Sequence, residues 1–588
     1  MVKLFLENTE VIIDSTQSIK VTKENPYLTQ SESYTLDVSL PLSILQNRQF
    51  FGNMQRIDTT KSNREYSARL MNGNDIILEG TARIVQSTDL VVKVQLANGV
   101  SALKMSSEQE GEYIDALITE PSVKSWASID GNVWNSLDYG PIETASHKGY
   151  GVILLDRTSD KVLGSCWGRN DHNGYYNVSE CPRLIDIAKM IADKLGYEMD
   201  LSYLPEACEH MYVISSILGN LGKKLPHWTV KEFLEEFQNF FGCVFVREGG
   251  RKLKLEPISN YIGHPERTIY PASGFQVDYS QQNESKGVMS SNLEFSMTES
   301  DTEIVEEDIL SQATFDETYS TIGETENAFI ADSEAVKMRK IYRCNGEIYV
   351  GWEKDENVYE LRKVAPFNPL VRFEDAESVQ LRIAPAYMEE DVECAVFADI
   401  TSSITGFAKQ FKYEATLPLV DNPYGFGRMD EDGSMDGSIL QDLIEGSEKI
   451  TSEEEKSDIM SVAFVDGLEE RIKIEADDGS SYSNVPIHLA FTDFNFKKQF
   501  TNNRKKWSFS LNELQGYEFY LGQMHKIGFH TEGKVKYIVK FISEAIPSPT
   551  DIFIINGKEF ACEKIEADIK EGELDNLMTG YFYGLTRS

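Results

Sequence analysis

Tyr34-Thr35-Leu36-Asp37-Val38-Ser39-Leu40 alternates apolar and polar residues without a break. Side chains of a strand point to opposite faces in turn, so Tyr34, Leu36, Val38 and Leu40 are predicted to share one face. Pro41, which lacks a ladder donor, is predicted to end the strand. The same period returns in Tyr66, Ala68 and Leu70. Asn72-Gly73 then supplies the positive φ of a tight hairpin, and Ile76 and Leu78 resume the pattern. Leu90, Val92, Val94 and Leu96 form a third alternating set. Turn signals at this spacing predict short antiparallel strands over residues 1–100, arranged as a small sandwich or barrel.

The period changes in the middle of the chain. After Pro182, expected in a first helical turn, Leu184, Ile187, Ala188, Ile191 and Leu195 recur at helical spacing, with Gly196 as the stop. A second helix opens on Thr229-Val230-Lys231-Glu232, the spacing of a capping box. Val230, Phe233, Leu234, Phe237 and Phe241 line one face, and Gly242 follows. Cys243-Val244-Phe245-Val246 and Leu253 with Leu255, separated by Gly249-Gly250, predict a hairpin. A compact α+β unit over 181–258 follows from these signals.

Strand patterns return beyond 258. Ile341-Tyr342-Arg343-Cys344 and Ile348-Tyr349-Val350-Gly351-Trp352 flank Asn345-Gly346, and Ile552 to Phe560 reads as a last hairpin around Asn556-Gly557. Between Met429 and Asp458 the chain turns polar and acidic, with Gly433, Gly437 and Gly446 among the acids, which predicts a loop or linker. The fold class is therefore mainly β with an inserted α+β unit, multidomain, as 588 residues also require.

Composition narrows the function. Lys and Arg number 57 against 95 Asp and Glu, a net charge of −38 that repels a phosphate backbone and disfavours sequence-specific nucleic-acid binding. The opening Met1-Val2-Lys3-Leu4-Phe5-Leu6-Glu7 is too short in apolar residues for a signal-peptide core, and nowhere do about 18 apolar residues run together as a membrane span requires. Neither export nor stable membrane insertion is expected. Cysteines at 166, 181, 208, 243, 344, 394 and 562 are too dispersed for a metal or redox pair. Reduced thiols buried as small hydrophobes are expected, consistent with assembly in a cytoplasm.

A search for chemistry finds little. In Asp430-Glu431-Asp432-Gly433-Ser434-Met435-Asp436-Gly437, a calcium loop beginning at Asp432 would place Ser434, Asp436 and Gly437 correctly, but Leu443 stands where the bidentate glutamate belongs. A solvated loop is the better reading. His210, His227 and His264 fall in separate elements and lack zinc-site spacing. Gly222-Lys223-Lys224 resembles the end of a phosphate loop, but Ile217 occupies the position of its first glycine. Gly149 with Gly151, and Gly425 with Gly427, lack the third glycine of a dinucleotide fingerprint, and no Gly-x-Ser-x-Gly elbow occurs. Trp126, Trp134, Trp167 and Trp352 could stack on sugars but suit a β core better. Lys497-Lys498 and Arg504-Lys505-Lys506 read as a solvated hairpin tip, with docking onto an acidic neighbour as the alternative. No catalytic, cofactor-binding or metal-binding residue is assigned, and no cofactor is expected.

Asn25-Pro26-Tyr27-Leu28-Thr29, Ser33 to Leu42 and Asn47-Arg48-Gln49-Phe50-Phe51-Gly52 resemble the start of tail hub proteins from prophages of Bacteroides-type gut bacteria. Trp228 to Leu234 with Phe241 to Phe245 is similar to the middle of such hubs, and Ile555 to Cys562 with Gly580-Tyr581-Phe582-Tyr583 to their end. The resemblance implies a baseplate or tail-tip hub whose subunits each carry two β-barrels. They form a ring, usually a homotrimer, that joins tail tube to tip and leaves a channel for DNA. On that reading 1–100 is the first barrel, 101–180 a β-rich connection, 181–258 the α+β domain, 259–420 the second barrel with associated strands, 421–460 the acidic linker and 461–588 a C-terminal β-rich domain. Partners would be the tail tube, distal tail and tape-measure proteins and a tip spike or fibre. The location would be the virion tail tip, after assembly in the bacterial cytoplasm. The sequence lacks a fused needle or a recognisable wall hydrolase. Two other classes stay open: a carbohydrate-binding surface protein, and a glycosidase or peptidase built on paired carboxylates.

Overall fold

The computed structural model describes residues 2–103, 113–121, 127–128, 141–156, 161–163, 175–176, 180–278, 292–296, 315–363, 378–399, 408–420, 458–494 and 505–587, short of positions 15, 36, 53, 55, 58–64, 218–219, 338–339, 345–346, 356–357, 467–469, 476–480, 488, 512 and 527 within those spans. The fold is mainly β, with several sheets and a few helices.

The largest sheet has 15 strands, and its hydrogen bonding crosses the expected division of the chain. Val2–Leu6, Glu65–Asn72, Asp75–Ser87 and Val91–Ala97 lie side by side and antiparallel. The sheet then passes through Tyr34–Thr35 to Ile19–Glu24, which pairs antiparallel with Lys558–Lys570 from Ile19 against Ile569 to Glu24 against Lys564. Leu577–Arg587 and Phe529–Ile542 follow. Segments 1–100 and 529–587, assigned to separate domains by sequence, therefore share one sheet and one core, in which Leu4, Leu70, Val94 and Leu96 join Phe541, Phe553 and Phe582.

At the C-terminal end the two outermost strands of the sheet are joined through the chain and are not paired with each other. Ile552–Ile555 pairs with Lys558–Lys570 and also, in parallel, with Glu266–Ile269. The chain leaving Glu266–Ile269 reaches Gln276–Asp278, which lies against Phe529–Ile542.

Local readings differ from expectation at four places. The segment from Tyr34 is two strands, Tyr34–Thr35 and Val38–Pro41, both paired with Val91–Ala97 and the first also with Ile19–Glu24; Leu36 lies outside the described residues. Val38 and Leu40 are fully buried as expected. Ile76 is exposed, because a bulge between Leu70 and Met71 makes Ile77 the extra residue and turns Ile77 and Leu78 into the core. Leu90 is exposed in a turn, ahead of the strand that starts at Val91. Pro182 sits in the strand Glu180–Pro182 and pairs with Gly149, so the helix Leu184–Lys194 is capped at Arg183.

The second helix, Val230–Phe241, forms as its sequence dictates. Thr229 Oγ1 accepts the Glu232 N–H at 3.2 Å, the Glu232 carboxylate accepts the Thr229 N–H at 2.8 Å, and Gly242 stops the helix at φ +58°. The hairpin Cys243–Gly249 and Lys252–Pro257 follows. Its core does not end at 258, because Phe240 and Phe241 pack in one cluster with Phe295, Leu381, Ile383, Phe464, Phe509 and Leu521. The acidic stretch 429–457, the calcium-like positions in it, Gly425, Gly427, Lys497, Lys498, Arg504, Cys166, Trp126, Trp134 and Trp167 lie outside the described residues.

Candidate functional site

Three segments far apart in sequence meet at one joint, and the meeting begins with Asn25. Its Oδ1 accepts the Tyr27 N–H at 3.1 Å and so caps the short helix Pro26–Thr29, whose first position is proline. Its Nδ2 donates to the Cys562 carbonyl at 2.8 Å, and its own N–H donates to the Glu563 carbonyl at 2.8 Å. Asn25 is fully buried, so each of these groups needs its partner.

Tyr27 carries the joint into the α+β unit. Its hydroxyl donates to Glu256 at 2.9 Å and lies 3.2 Å from His264 Nε2, while its ring packs 5.6 Å from Tyr261. Burial first, then the Glu256 charge, pushes the phenol far above its ordinary range. It stays a neutral donor at any physiological pH. Burial likewise lowers the His264 imidazole. Tyr27, Leu28, Val244, Tyr261, Phe529, Ile552, Ala561 and Tyr583 form one buried cluster. Gln30, at φ +53°, closes the small helix and donates from Nε2 to Asn239 Oδ1 of the long helix at 2.6 Å.

A polar seam continues from the joint. Glu32 is buried, presses on Gly99, and accepts the Arg247 N–H at 2.8 Å. Burial raises its carboxyl to about 7. Arg247 reaches Glu79 at 3.1 Å and Arg251 reaches Glu65 at 3.0 Å across a cleft of about 340 Å³. Arg69 also approaches Glu79, at 3.5 Å. Each guanidinium facing the cleft thus has a carboxylate, so the cleft ties two parts of the chain together more readily than it would hold a separate anion.

The sequence-derived candidates are scattered. His210 Nδ1 bonds the Val465 carbonyl at 2.9 Å, His227 sits against Asp115 at 3.1 Å and stacks on Tyr113, and His264 belongs to the joint. Lys224 ends a 3-10 turn with its ammonium buried and bonded to the Ile217 carbonyl, which is no phosphate cradle. Gly149 and Gly151 lie in a strand. Lys505 pairs with Glu206 at 3.5 Å and lies over Trp507, and Lys506 lies over Phe494, so the described end of the basic cluster is engaged within the chain. Among the described residues, no group of His, Cys, Asp and Glu could hold a metal ion, and no helix is long and apolar enough to cross a membrane. Cys181, Cys208, Cys243, Cys344 and Cys562 are buried and not joined in disulfides.

Sequence reasoning missed the joint as a unit. Asn25-Pro26 is a helix-start signal in retrospect, but nothing local to residue 25 names Cys562 as its partner.

No family model matches the chain, and no curated protein matches it by sequence. Among solved structures it is similar to the 43 kDa tail protein of prophage MuSo2 from Shewanella oneidensis, at 8% identity over 99% of this chain and 96% of that one, with a TM-score of 0.30. It is also similar to the tail protein from Neisseria meningitidis MC58, at 7% identity over 99% and 95%, with a TM-score of 0.26. Scores this low do not establish a common fold.

Proposed function

We propose that this chain is a structural protein of a bacteriophage tail, a hub that forms a trimeric ring between tail tube and tip and leaves a channel for DNA. The observation that carries the reading is the joint. Four of the stretches whose sequence resembles hub proteins, Asn25 to Thr29, Trp228 to Leu234 with Phe241 to Phe245, Ile555 to Cys562 and Gly580 to Tyr583, contribute residues that pack on one another although hundreds of positions separate them, whereas Ser33 to Leu42 and Asn47 to Gly52 add to the core of the large sheet. Much of a resemblance scattered along the sequence is thereby brought to one structural unit. The mainly β fold supports a building role, and the excess of acid suits a passage through which a polyanion slides without sticking. Tail tube, distal tail and tape-measure proteins and a tip spike or fibre are the proposed partners, and the virion tail tip the proposed location.

Sedimentation of the purified chain, followed by imaging of the particles, tests the proposal. Three copies in a ring with an acid-lined channel are expected. A strict monomer at micromolar concentration, or a ring whose channel is basic, would overturn it.

A further inference from the structure

The turn Thr144 to His147 connects the strands Pro141–Glu143 and Lys148–Gly151, and it assembles a hydroxyl, an imidazole and a carboxylate in series. Ser146 Oγ lies 3.0 Å from His147 Nδ1, and His147 Nε2 lies 2.7 Å from Glu180 Oε1. The imidazole and carboxylate are buried, whereas Ser146 is exposed. The strand Glu180–Pro182 holds the carboxylate in place against Gly149, where a Cβ would come within 2.4 Å of Glu180 Oε1.

The hydrogen positions follow from the partners. Ionised Glu180 only accepts, so Nε2 carries the proton and Nδ1 presents its lone pair. Two hydroxyls lie 3.0 Å from that lone pair, those of Thr144 and Ser146. Thr144 Oγ1 donates to the His147 carbonyl at 2.9 Å and accepts the N–H groups of His147 at 3.0 Å and Ser146 at 3.3 Å. Its proton is committed to a carbonyl. Ser146 Oγ, whose other hydroxyl neighbour among the described residues is Thr144 Oγ1 at 3.3 Å, can donate to Nδ1. A nucleophile within hydrogen-bond reach of a base that a third group orients is the arrangement that activates a hydroxyl.

We propose that Ser146 is the nucleophile of an acyl-transfer centre acting on exposed carboxylic esters, with His147 as its base and Glu180 as the residue that positions and charges that base. Ser146 Oγ attacks the ester carbonyl carbon and forms the Oγ–C bond while its proton passes to His147 Nδ1. The carbon–alkoxy bond breaks, and the leaving alkoxide takes that proton and departs as an alcohol. Water then attacks the acyl-serine with His147 again accepting the proton, which releases the carboxylic acid and restores the hydroxyl. The turn stands at the surface, so the ester is small or itself exposed.

The whole chain is incubated with a fluorescent fluorophosphonate, which traps activated serines, and separately with p-nitrophenyl acetate. Covalent labelling of Ser146, located by peptide mass spectrometry, and release of nitrophenolate are expected. Ser146→Ala should abolish both. Glu180→Gln should slow labelling by roughly 10²-fold or more, as loss of the orienting charge does in other hydroxyl–imidazole pairs, and should lower the pH midpoint of labelling, because the imidazolium loses its counter-charge. A merely structural Glu180 would leave that midpoint unmoved. Equal labelling of wild type and Ser146→Ala, or no labelling of wild type under conditions that label a known serine esterase, would overturn the proposal. Circular dichroism of each variant separates lost reactivity from lost fold.

Discussion

Asn25 Nδ2 lies 2.8 Å from the carbonyl oxygen of Cys562, a hydrogen bond that spans 537 positions of the chain and is wholly buried. Through it the helix Pro26–Thr29 is fixed to the strand Lys558–Lys570 that also pairs with Ile19–Glu24. Asn25→Ala removes the helix cap, worth about 1 kcal/mol, and strands a buried carbonyl, at about 1–3 kcal/mol. A fall in the urea midpoint is expected. Thr16→Ala, which removes only an exposed bond to Asp14, serves as the control and should shift stability by less than about 0.5 kcal/mol. Equal midpoints for the two variants would refute the role given to Asn25.

Glu32 should make the seam sensitive to alkali. Burial raises its carboxyl to about 7, against an ordinary 4.5. An acid whose pKa is raised on folding favours the folded state when protonated, so its full contribution is present below about 4.5 and is lost as pH climbs through 7. At pH 8 the ionised carboxylate then costs the fold on the order of 3 kcal/mol. Glu32→Gln keeps an acceptor for the Arg247 N–H without the charge. It should be the more stable protein at pH 8 and lose that advantage by pH 5. Denaturant titrations of both proteins at the two pH values measure the difference, and parallel curves would disprove the assignment.

How much of this was legible beforehand depends on the distance between partners. The capping box at Thr229, the stop at Gly242, the hairpins at Gly249-Gly250 and Asn556-Gly557 and the burial of Val92, Val94 and Leu96 are set by neighbours a few residues away, and the sequence shows them. The pairing of Ile19–Glu24 with Lys558–Lys570 has no such signal, because any apolar alternating strand offers the same edge. The bulge at Ile77 escaped because inserting one residue shifts the period without changing the composition. The helix Ile322–Ala331 carries its own local signal, a capping box at Thr321 and Glu324. Glu32 looked like one acid among 95, and only the approach of Gly99 and Arg247 makes it different.

His525 should respond to acid in the opposite sense to Glu32. The residue is half-buried but its ring nitrogens are shielded from water, its Nε2 donates to the Phe240 carbonyl at 3.1 Å, and desolvation of the ring lowers its pKa to about 4 from 6.5. A base whose pKa is lowered on folding favours the folded state when neutral. Its contribution is therefore complete above about 6.5 and is lost as pH falls towards 4. His525→Gln retains a donor for the Phe240 carbonyl and cannot take up a proton. It should be less stable than wild type at pH 7 through poorer packing, with the gap closing or reversing at pH 4.5. A gap that stays constant across this range would show that His525 does not titrate with folding.

Gly242 joins that histidine to the end of the long helix, and here two causes can be separated. Its φ is +58°, and a Cβ would lie 2.7 Å from His525 Nδ1 and 2.9 Å from the Met524 carbonyl oxygen. Gly242→Ala therefore pays for the left-handed backbone, about 1 kcal/mol, and must also displace the turn Leu521–His525. If the imidazole is a real obstacle, removing it relieves part of the second cost. The double variant Gly242→Ala with His525→Ala should then be less destabilised than the sum of the singles by about 0.5–3 kcal/mol, the range of coupling seen between residues in contact. The carbonyl of Met524 stays in place in every arm of the cycle, so it cannot produce this coupling. Strict additivity would assign the whole effect of Gly242→Ala to the backbone and to Met524, and would leave His525 a bystander at the helix end.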